Sequence, residues 1–136
     1  VTETYQATID DLWKALTQPG QMRQWFFEQI DTFMPEVGFE LKFNVQAQDR
    51  EFLHVWQITV VKEKEKIKLN WRYGGYPGDS YVTFELSEQP KGSKLSVIHE
   101  FVESFPADIP EFQRESCAEG WHYFLKNSLK AYLEGE

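Results

Sequence analysis

The sequence contains only one cysteine, Cys117, among its 136 residues, so an internal disulfide is excluded. A lone thiol suits a reducing compartment, and we predict a cytoplasmic location. No apolar stretch approaches the ~20 residues that a membrane-spanning helix needs, so membrane insertion is not predicted. The N-terminus has neither the charged start nor the apolar centre of a secretory signal. Because the chain begins at Val1 rather than at a methionine, we expect residues to precede it, and whether they complete the first strand stays open.

Basic residues are few. Lysine and arginine total 14 against 22 aspartates and glutamates, which gives a formal net charge of -8 at pH 7. Such a charge repels phosphate backbones. The only lysine-rich run, residues 62–66, alternates lysine with glutamate and is typical of a solvated turn. A nucleic-acid partner is therefore not predicted.

Paired metal-ligand spacings are also missing. His54, His99, His122 and Cys117 form no His-x-x-x-His or Cys-x-x-Cys pattern, so the sequence predicts neither a metal nor another cofactor. For His99, two interpretations stay open. It is either a hydrogen-bonded core residue or an acid/base group, since a histidine in an apolar pocket can move a proton near neutral pH. Cys117 is expected to be an inert buried thiol.

Aromatic residues, by contrast, make up 16% of the chain. Rings of this size must fill or line the interior. A chain of this length forms one domain, over residues 1–136, and buries roughly two thirds of its unfolded surface. We therefore predict a single wide core.

The longest amphipathic pattern, residues 110–133, predicts the helix around which the chain is organised. Pro110 suits the first turn of a helix because its missing N–H needs no partner there. Two shorter helices are predicted near the N-terminus, over residues 9–16 and 18–27. The long helix gathers its apolar side chains on one face: Cys117, Ala118, Trp121, Phe124, Leu125, Leu129 and Tyr132.

Between these helices the apolar pattern changes to the period of two that is typical of strands. Strands are predicted over residues 1–6, 39–45, 51–61, 67–73, 82–86 and 95–101. Residues 51–61 are apolar at both alternating positions, which predicts a strand that is central in the sheet or covered on both faces. The fold class is therefore α+β: a curved antiparallel sheet of about six strands that grips the long C-terminal α-helix, with two short helices after the first strand.

The segments that carry a family resemblance span nearly the whole chain: residues 11–17, Trp25-Phe26, Val37-Gly38-Phe39, Asn70-Trp71-Arg72-Tyr73, Val82-Thr83-Phe84-Glu85-Leu86, Glu119-Gly120-Trp121 and Phe124-Leu125. In this order they resemble the START-like, helix-grip superfamily (SRPBCC), which includes the birch-pollen allergen and polyketide cyclases. Within it, the chain is most similar to the branch named after the activator of heat-shock-protein-90 ATPase. The resemblance implies a hydrophobic cavity between sheet and helix that binds small apolar molecules.

The residues predicted to line this cavity are Trp25, Phe26, Phe43, Trp56, Trp71, Tyr73, Phe84, His99, Arg114, Cys117, Trp121 and Phe124. For the aromatic members the alternative is that they are core residues without a ligand. Arg114 lies on the inward face of the long helix. Its charge must reach the rim, pair with an acid such as Glu100, or orient a carboxylate or phenolate ligand.

Three functions remain open at this level. The first is noncatalytic binding of a small apolar or aromatic molecule. The second is a cyclase- or hydrolase-type enzyme that uses the same cavity, with His99 or a tyrosine as the acid/base group. The third is contact with a chaperone, which the resemblance implies; the chaperone activators of the family carry an additional N-terminal domain, for which this chain leaves no room.

Overall fold

An antiparallel sheet and a C-terminal helical segment dominate the structure, a computed structural model that describes residues 1–47, 50–106, 109 and 114–134, without the side chains of residues 47, 114 and 115. The strands are β1 (Thr2–Tyr5), β2 (Glu40–Ala47), β3 (Arg50–Lys62), β4 (Lys66–Gly74), β5 (Asp79–Gln89) and β6 (Gly92–Glu103). Their order in the sheet is β1-β6-β5-β4-β3-β2, and each neighbouring pair is antiparallel. The predicted α+β architecture is confirmed.

One face of the sheet carries the core. In β3, Trp56 and Ile58 are buried, whereas Leu53 and Val55 on the opposite face are only half-buried. Of the two predicted alternatives, β3 takes the central position, because it lies between β4 and β2 in the sheet, and only one of its faces is covered. The reason is that the helical segments contact the face of Trp56, where the ring of Phe26 lies 5.8 Å from the indole.

Two register shifts interrupt the strand pairing. One lies between Ile58 and Val60 in β3, and the other lies between Asp79 and Ser80 in β5. An extra residue in one strand bends it and increases its twist. The shifts are consistent with a sheet that curves toward the helices.

Two short helices follow β1. Helix α1 (Ile9–Thr17) begins at Thr8, whose hydroxyl accepts a hydrogen bond from the Asp11 N–H at 3.1 Å. Helix α2 (Pro19–Trp25) has proline in its first turn, where no N–H partner is needed. It ends before the predicted residue 27 because Phe26 leaves the helical conformation (φ -109, ψ -110).

The C-terminal helix comprises α3 (Arg114–His122), a π-helical stretch (Tyr123–Ser128) and α4 (Leu129–Leu133). Its predicted start at residue 110 lies outside the described residues. The π-helical stretch departs from the uninterrupted α-helix that the pattern predicts. It is anchored by the Tyr5 hydroxyl, which donates to the Leu125 carbonyl oxygen at 2.7 Å, and by the Ser128 hydroxyl, which donates to the Trp25 carbonyl oxygen at 2.6 Å.

Leu125 and Leu129 are fully buried, so the predicted apolar face of the C-terminal helix is the face that packs on the sheet. Across the described ranges, no helix is both long enough and apolar enough to span a membrane.

Candidate ligand-binding site

Two spaces lie between the sheet and the helices. The larger, which we call the aromatic pocket, has a volume of about 120 Å³. The smaller, the inner void, has about 10 Å³, the lower limit for a single water molecule. The aromatic pocket is lined by Phe27, His54, Trp71, Tyr73, His99, Cys117, Gly120, Trp121 and Phe124. The inner void is lined by Leu16, Met22, Trp25, Phe26, Phe33, Trp56, Ile67, Leu69 and Phe84.

Two consecutive rings after helix α2 divide the space beneath the sheet. Phe26 stacks on Trp25 with ring centroids 4.7 Å apart and meets the edge of Phe124 at 4.8 Å. Phe27 lies 5.1 Å from His54 and 5.2 Å from Phe124. Both rings are only half-buried, so they form the boundary between the interior and solvent. Aromatic side chains therefore fill most of the space between the sheet and the helices.

One face of the C-terminal helix forms a wall of the aromatic pocket. Cys117, Gly120, Trp121 and Phe124 follow the spacing i, i+3, i+4 and i+7, which places them on one side of a helix. The sequence predicts that Gly120 allows a strand or a neighbouring ring to come close. Instead, a Cβ atom added there would meet no atom of the described residues within 4 Å. The missing side chain leaves open space at the pocket wall.

His99 is held in a chain of hydrogen bonds. The Ser80 hydroxyl donates its only proton to the Trp71 carbonyl oxygen at 2.7 Å, so it can only accept from His99 Nε2, at 2.9 Å. His99 Nδ1 then carries a lone pair and accepts from the indole N–H of Trp121 at 3.3 Å. These contacts assign the tautomer, and both ring nitrogens of His99 are satisfied.

The other polar groups of the pocket are less fully paired. His54 Nδ1 lies 3.1 Å from the Phe52 carbonyl oxygen, so Nδ1 carries the proton and Nε2 is an acceptor. The indole nitrogens of Trp56 and Trp71 are buried and have no hydrogen-bond partner within the described part of the chain. The indole N–H of Trp71 is near enough to oppose the rise in the pKa of the Tyr73 phenol without meeting hydrogen-bond geometry.

Burial keeps the titratable groups of the pocket neutral at pH 7. It lowers the pKa of His54 and of His99 to about 4. It raises the pKa of the Tyr73 phenol and of the Cys117 thiol above their ordinary values. The described lining therefore carries no formal charge, and an ionised ligand would find no described counter-charge there.

The structure distributes the predicted site residues over several places. Those that line the aromatic pocket are Trp71, Tyr73, His99, Cys117, Trp121 and Phe124. Those that line the inner void are Trp25, Phe26, Trp56 and Phe84. Phe43 packs 5.3 Å from Phe27 and 5.0 Å from His54 without lining either space. Arg114 begins the C-terminal helix, and its side chain lies outside what the structure describes.

Sequence reasoning missed three residues that line the aromatic pocket: Phe27, His54 and Gly120. Phe27 closes an apolar helical pattern, and His54 shares the strand face of Trp56. Both positions indicated burial, but neither pattern separates a pocket wall from a core position. Within the part of the chain described, no group of three His, Cys, Asp or Glu side chains could hold a metal ion.

Solved structures with the same fold include protein CV1439 from Chromobacterium violaceum, with a TM-score of 0.81 and 22% identity over 100% of this chain and 96% of that one. Mll3558 from Rhizobium loti has a TM-score of 0.82 and 19% identity over 98% and 94%. PFC0360w from Plasmodium falciparum, an HSP90 activator, has a TM-score of 0.74 and 18% identity over 98% and 94%. At these identities the likeness shows the fold alone.

A search of curated proteins found no match. A family profile, that of the Activator of Hsp90 ATPase homolog 1-like proteins, matches residues 6–134, which is nearly the whole chain. Together with the six-stranded sheet and its C-terminal helix, this match shows that the chain belongs to the family of Activator of Hsp90 ATPase homolog 1-like proteins.

Proposed function

We propose that the protein binds a small apolar or aromatic molecule in the aromatic pocket, without transforming it. The observation that carries the proposal is a partly open space of about 120 Å³, lined mainly by rings, between the sheet and the C-terminal helix. Ligand sites in proteins are concave and mostly apolar, with a few polar groups that orient the ligand. His54 and Trp71 supply such groups here. We also propose that the protein acts in the cytoplasm, which its single cysteine favours.

The size of the pocket limits the ligand. An apolar cavity of about 150 Å³ in another protein holds benzene, whereas drug-sized ligands occupy roughly 300–1,000 Å³. The aromatic pocket therefore suits a molecule with one ring. A larger molecule requires the ring of Phe27 to move, and Phe27 is half-buried and lies outside any helix or strand.

The surroundings of His99 favour binding over catalysis. Ser80 and His99 are within hydrogen-bond distance, as in a nucleophile and its base. However, the Ser80 hydroxyl gives its proton to a backbone carbonyl and is fully buried. His99 Nδ1 accepts a hydrogen bond from the Trp121 N–H. In a catalytic triad the same nitrogen instead donates to an acid that orients the histidine. His99 is therefore best explained as a structural link between β5, β6 and the C-terminal helix.

Titration with toluene, followed by the backbone amide signals in two-dimensional NMR, tests the proposal. We expect saturable shifts at Gly120 and Phe27, with the amide of Gly20 in α2 as an internal control. Binding should also raise the melting temperature, because a ligand that binds only the folded state stabilises it by about 2.7 kcal/mol at a hundred times its Kd. If toluene, phenol and naphthalene all fail to give saturable shifts at the pocket, the proposal is wrong.

Contact with a chaperone is a second candidate. It is supported by the family match and by the similarity in fold to an HSP90 activator from Plasmodium falciparum. The assay is the ATPase rate of purified Hsp90 with and without this protein, together with a pull-down. We expect stimulation and co-purification if the chain shares this role, and the absence of both would remove the candidate.

A further inference from the structure

The two edges of the sheet differ in how they are covered. β1 lies at one edge and β2 at the other. At the β1 edge, the ammonium group of Lys126 donates to the Thr2 carbonyl oxygen at 3.1 Å, and that of Lys130 donates to the Thr4 carbonyl oxygen at 3.2 Å. Lysines at an edge strand hinder its pairing with another chain. The β1 edge is therefore protected by the C-terminal helix.

The β2 edge has open backbone groups. The Ile58 N–H donates to the Phe39 carbonyl oxygen at 2.9 Å, and the register of β2 on β3 continues from this pair. Backbone groups point alternately to the two sides of a strand, so Lys42 and Asn44 turn their N–H and C=O groups away from β3. Among the residues that the structure describes, these groups have no hydrogen-bond partner.

The features that usually protect a long edge strand are scarce in β2. Its residues Glu40–Ala47 pair with β3 without a register shift, and none of them is proline. Val37, shortly before the strand, is 67% exposed, so apolar surface lies beside the open backbone. A long, regular and open edge is a template for one more strand.

We propose that the β2 edge pairs with the β2 edge of a second copy of this chain, in an antiparallel dimer whose two-fold axis passes through Phe43. The two six-stranded sheets then form one continuous sheet. A two-fold interface uses the same surface on both copies, so it closes after two chains and does not grow into a fibre. The inference is independent of the proposed function.

The charges of β2 favour this register. A two-fold axis through Lys42 sets the two lysines opposite each other, and like charges directly opposite are unfavourable. An axis through Phe43 instead sets Lys42 opposite Asn44 of the other copy, and no like charges meet over residues 40–46. The same register lets the open backbone groups of Lys42 bond to those of Asn44 on either side of the axis.

The inner face of the strand fits the register as well. Leu41 of one copy lies opposite Val45 of the other, and Phe43 lies opposite its own counterpart. Leu41 and Phe43 are buried within each copy, and Val45 is half-buried. Apolar pairs on neighbouring strands stabilise a sheet, so the apolar layer continues across the axis.

Sedimentation equilibrium of the whole chain at pH 7 tests the inference, over protein concentrations from about 10 μM to about 1 mM. Two paired edges bury less surface than the roughly 1,200 Å² at which stable interfaces begin, so the dimer should be weak. We expect a monomer–dimer equilibrium with a dissociation constant between about 1 μM and about 1 mM.

A proline variant tests the edge itself. Asn44→Pro removes an N–H that points away from β3, so the fold loses no internal hydrogen bond. The variant should be monomeric at every concentration while its circular dichroism stays native. A dimer that persists in this variant overturns the inference.

Charge variants test the register. By symmetry, Asn44→Lys places a lysine opposite Lys42 twice, and it should weaken the dimer about 2- to 30-fold. Asn44→Glu should strengthen it by a similar factor. Ser87→Lys and Ser87→Glu are the matched controls, because Ser87 is exposed on β5, a central strand, and takes the same charges away from the edge. Both should leave the dissociation constant unchanged.

The remaining outcomes also decide. A native protein that stays monomeric throughout overturns the inference and leaves the β2 edge for a strand of another protein. A dimer weakened by both charges at Asn44 overturns the axis through Phe43, and species larger than a dimer overturn the closed pairing. Should Asn44→Pro fail to fold, the charge variants still decide, because they change only an exposed side chain.

Discussion

The glycine in the wall of the aromatic pocket offers a test in which stability and binding change in opposite directions. Gly120 lies within α3, where glycine is less favourable than alanine by about 0.5–1 kcal/mol because it loses more backbone entropy on folding. An added Cβ would meet no atom within 4 Å in the part of the chain that the structure describes, so Gly120→Ala introduces no collision there. We expect the variant to be more stable by that amount, with a melting temperature higher by about 2–4 °C.

The same methyl group should weaken ligand binding. It is about as large as a water molecule, whose share of liquid volume is roughly 30 Å³, so it takes up about a quarter of the 120 Å³ pocket. Forcing a ring into a space that has become too small costs about 1–3 kcal/mol, which corresponds to roughly 5- to 150-fold in Kd. We therefore expect toluene to bind at least about fivefold more weakly to Gly120→Ala than to the native protein.

Urea unfolding and calorimetric titration with toluene measure the two effects. Gly20→Ala is the matched control, because Gly20 is an exposed glycine in α2 whose added Cβ would make only an ordinary contact with Arg23. It should stabilise the protein and leave toluene binding unchanged. Gly120→Ala with native toluene affinity would refute the assignment of this helix face to the pocket wall. A destabilised Gly120→Ala would show that the space beside the backbone is not open.

Three further predictions concern the ring of Phe27 at the pocket, the close approach of Gly92 to the backbone of Tyr5, and the effect of pH on stability. Phe27→Ala should lower the free energy of unfolding by about 2–3 kcal/mol, which is less than the loss for a fully buried phenylalanine. In calorimetric titrations the variant should bind naphthalene, whereas the native protein should bind only molecules with a single ring. Gly92→Ala should unfold at a much lower urea concentration, because Gly92 has φ +155 and an added Cβ would collide with the Tyr5 carbonyl oxygen. Between about pH 6.5 and 4 the unfolded chain binds more protons than the folded one, since burial lowers the pKa of His54 and His99 to about 4. The free energy of unfolding, measured with urea, should therefore decrease as the pH is lowered from 6.5 to 4. The decrease should be at most about 1.4 kcal/mol per pH unit for each histidine.

Each of these three has a clear contrary result. Naphthalene binding equally well to native protein would show that Phe27 does not limit the pocket. Near-native stability of Gly92→Ala would mean that β1 does not pack tightly on the turn between β5 and β6. For the pH effect, His99→Gln should flatten the slope, and an unchanged slope between pH 6.5 and 4.5 would place the titration on other groups.

The element order could be predicted because the patterns that encode it are local. Residues 67–73 alternate apolar and polar side chains, and β4 (Lys66–Gly74) follows that alternation. The apolar stripe of the long helix likewise identified Leu125 and Leu129 as buried. For β3 the sequence left a central position and cover on both faces as alternatives, because a run that is apolar at both positions does not tell whether helices lie on one side of a sheet or on both.

The candidate site was less predictable. Phe27 and His54 were not predicted as site residues, since their contacts involve residues far away in the chain. The π-helical stretch (Tyr123–Ser128) has no sequence signature in the apolar spacing. Nothing in the chain around Trp71 indicates that its indole nitrogen lacks a partner. Whether an atom lacks a hydrogen-bond partner depends on the whole packing, because the positions of all its neighbours must be known first.

For this protein, the sequence by itself determined the succession of strands and helices and the apolar face of the C-terminal helix, because periods of 2 and 3.6 residues follow from backbone geometry alone. Only the tertiary structure decided that two rings divide the interior into an inner void and an aromatic pocket, and that the tautomers of His54 and His99 differ. These features depend on distances of a few ångströms between segments far apart in the chain, and the spacing of residues along one segment does not encode them.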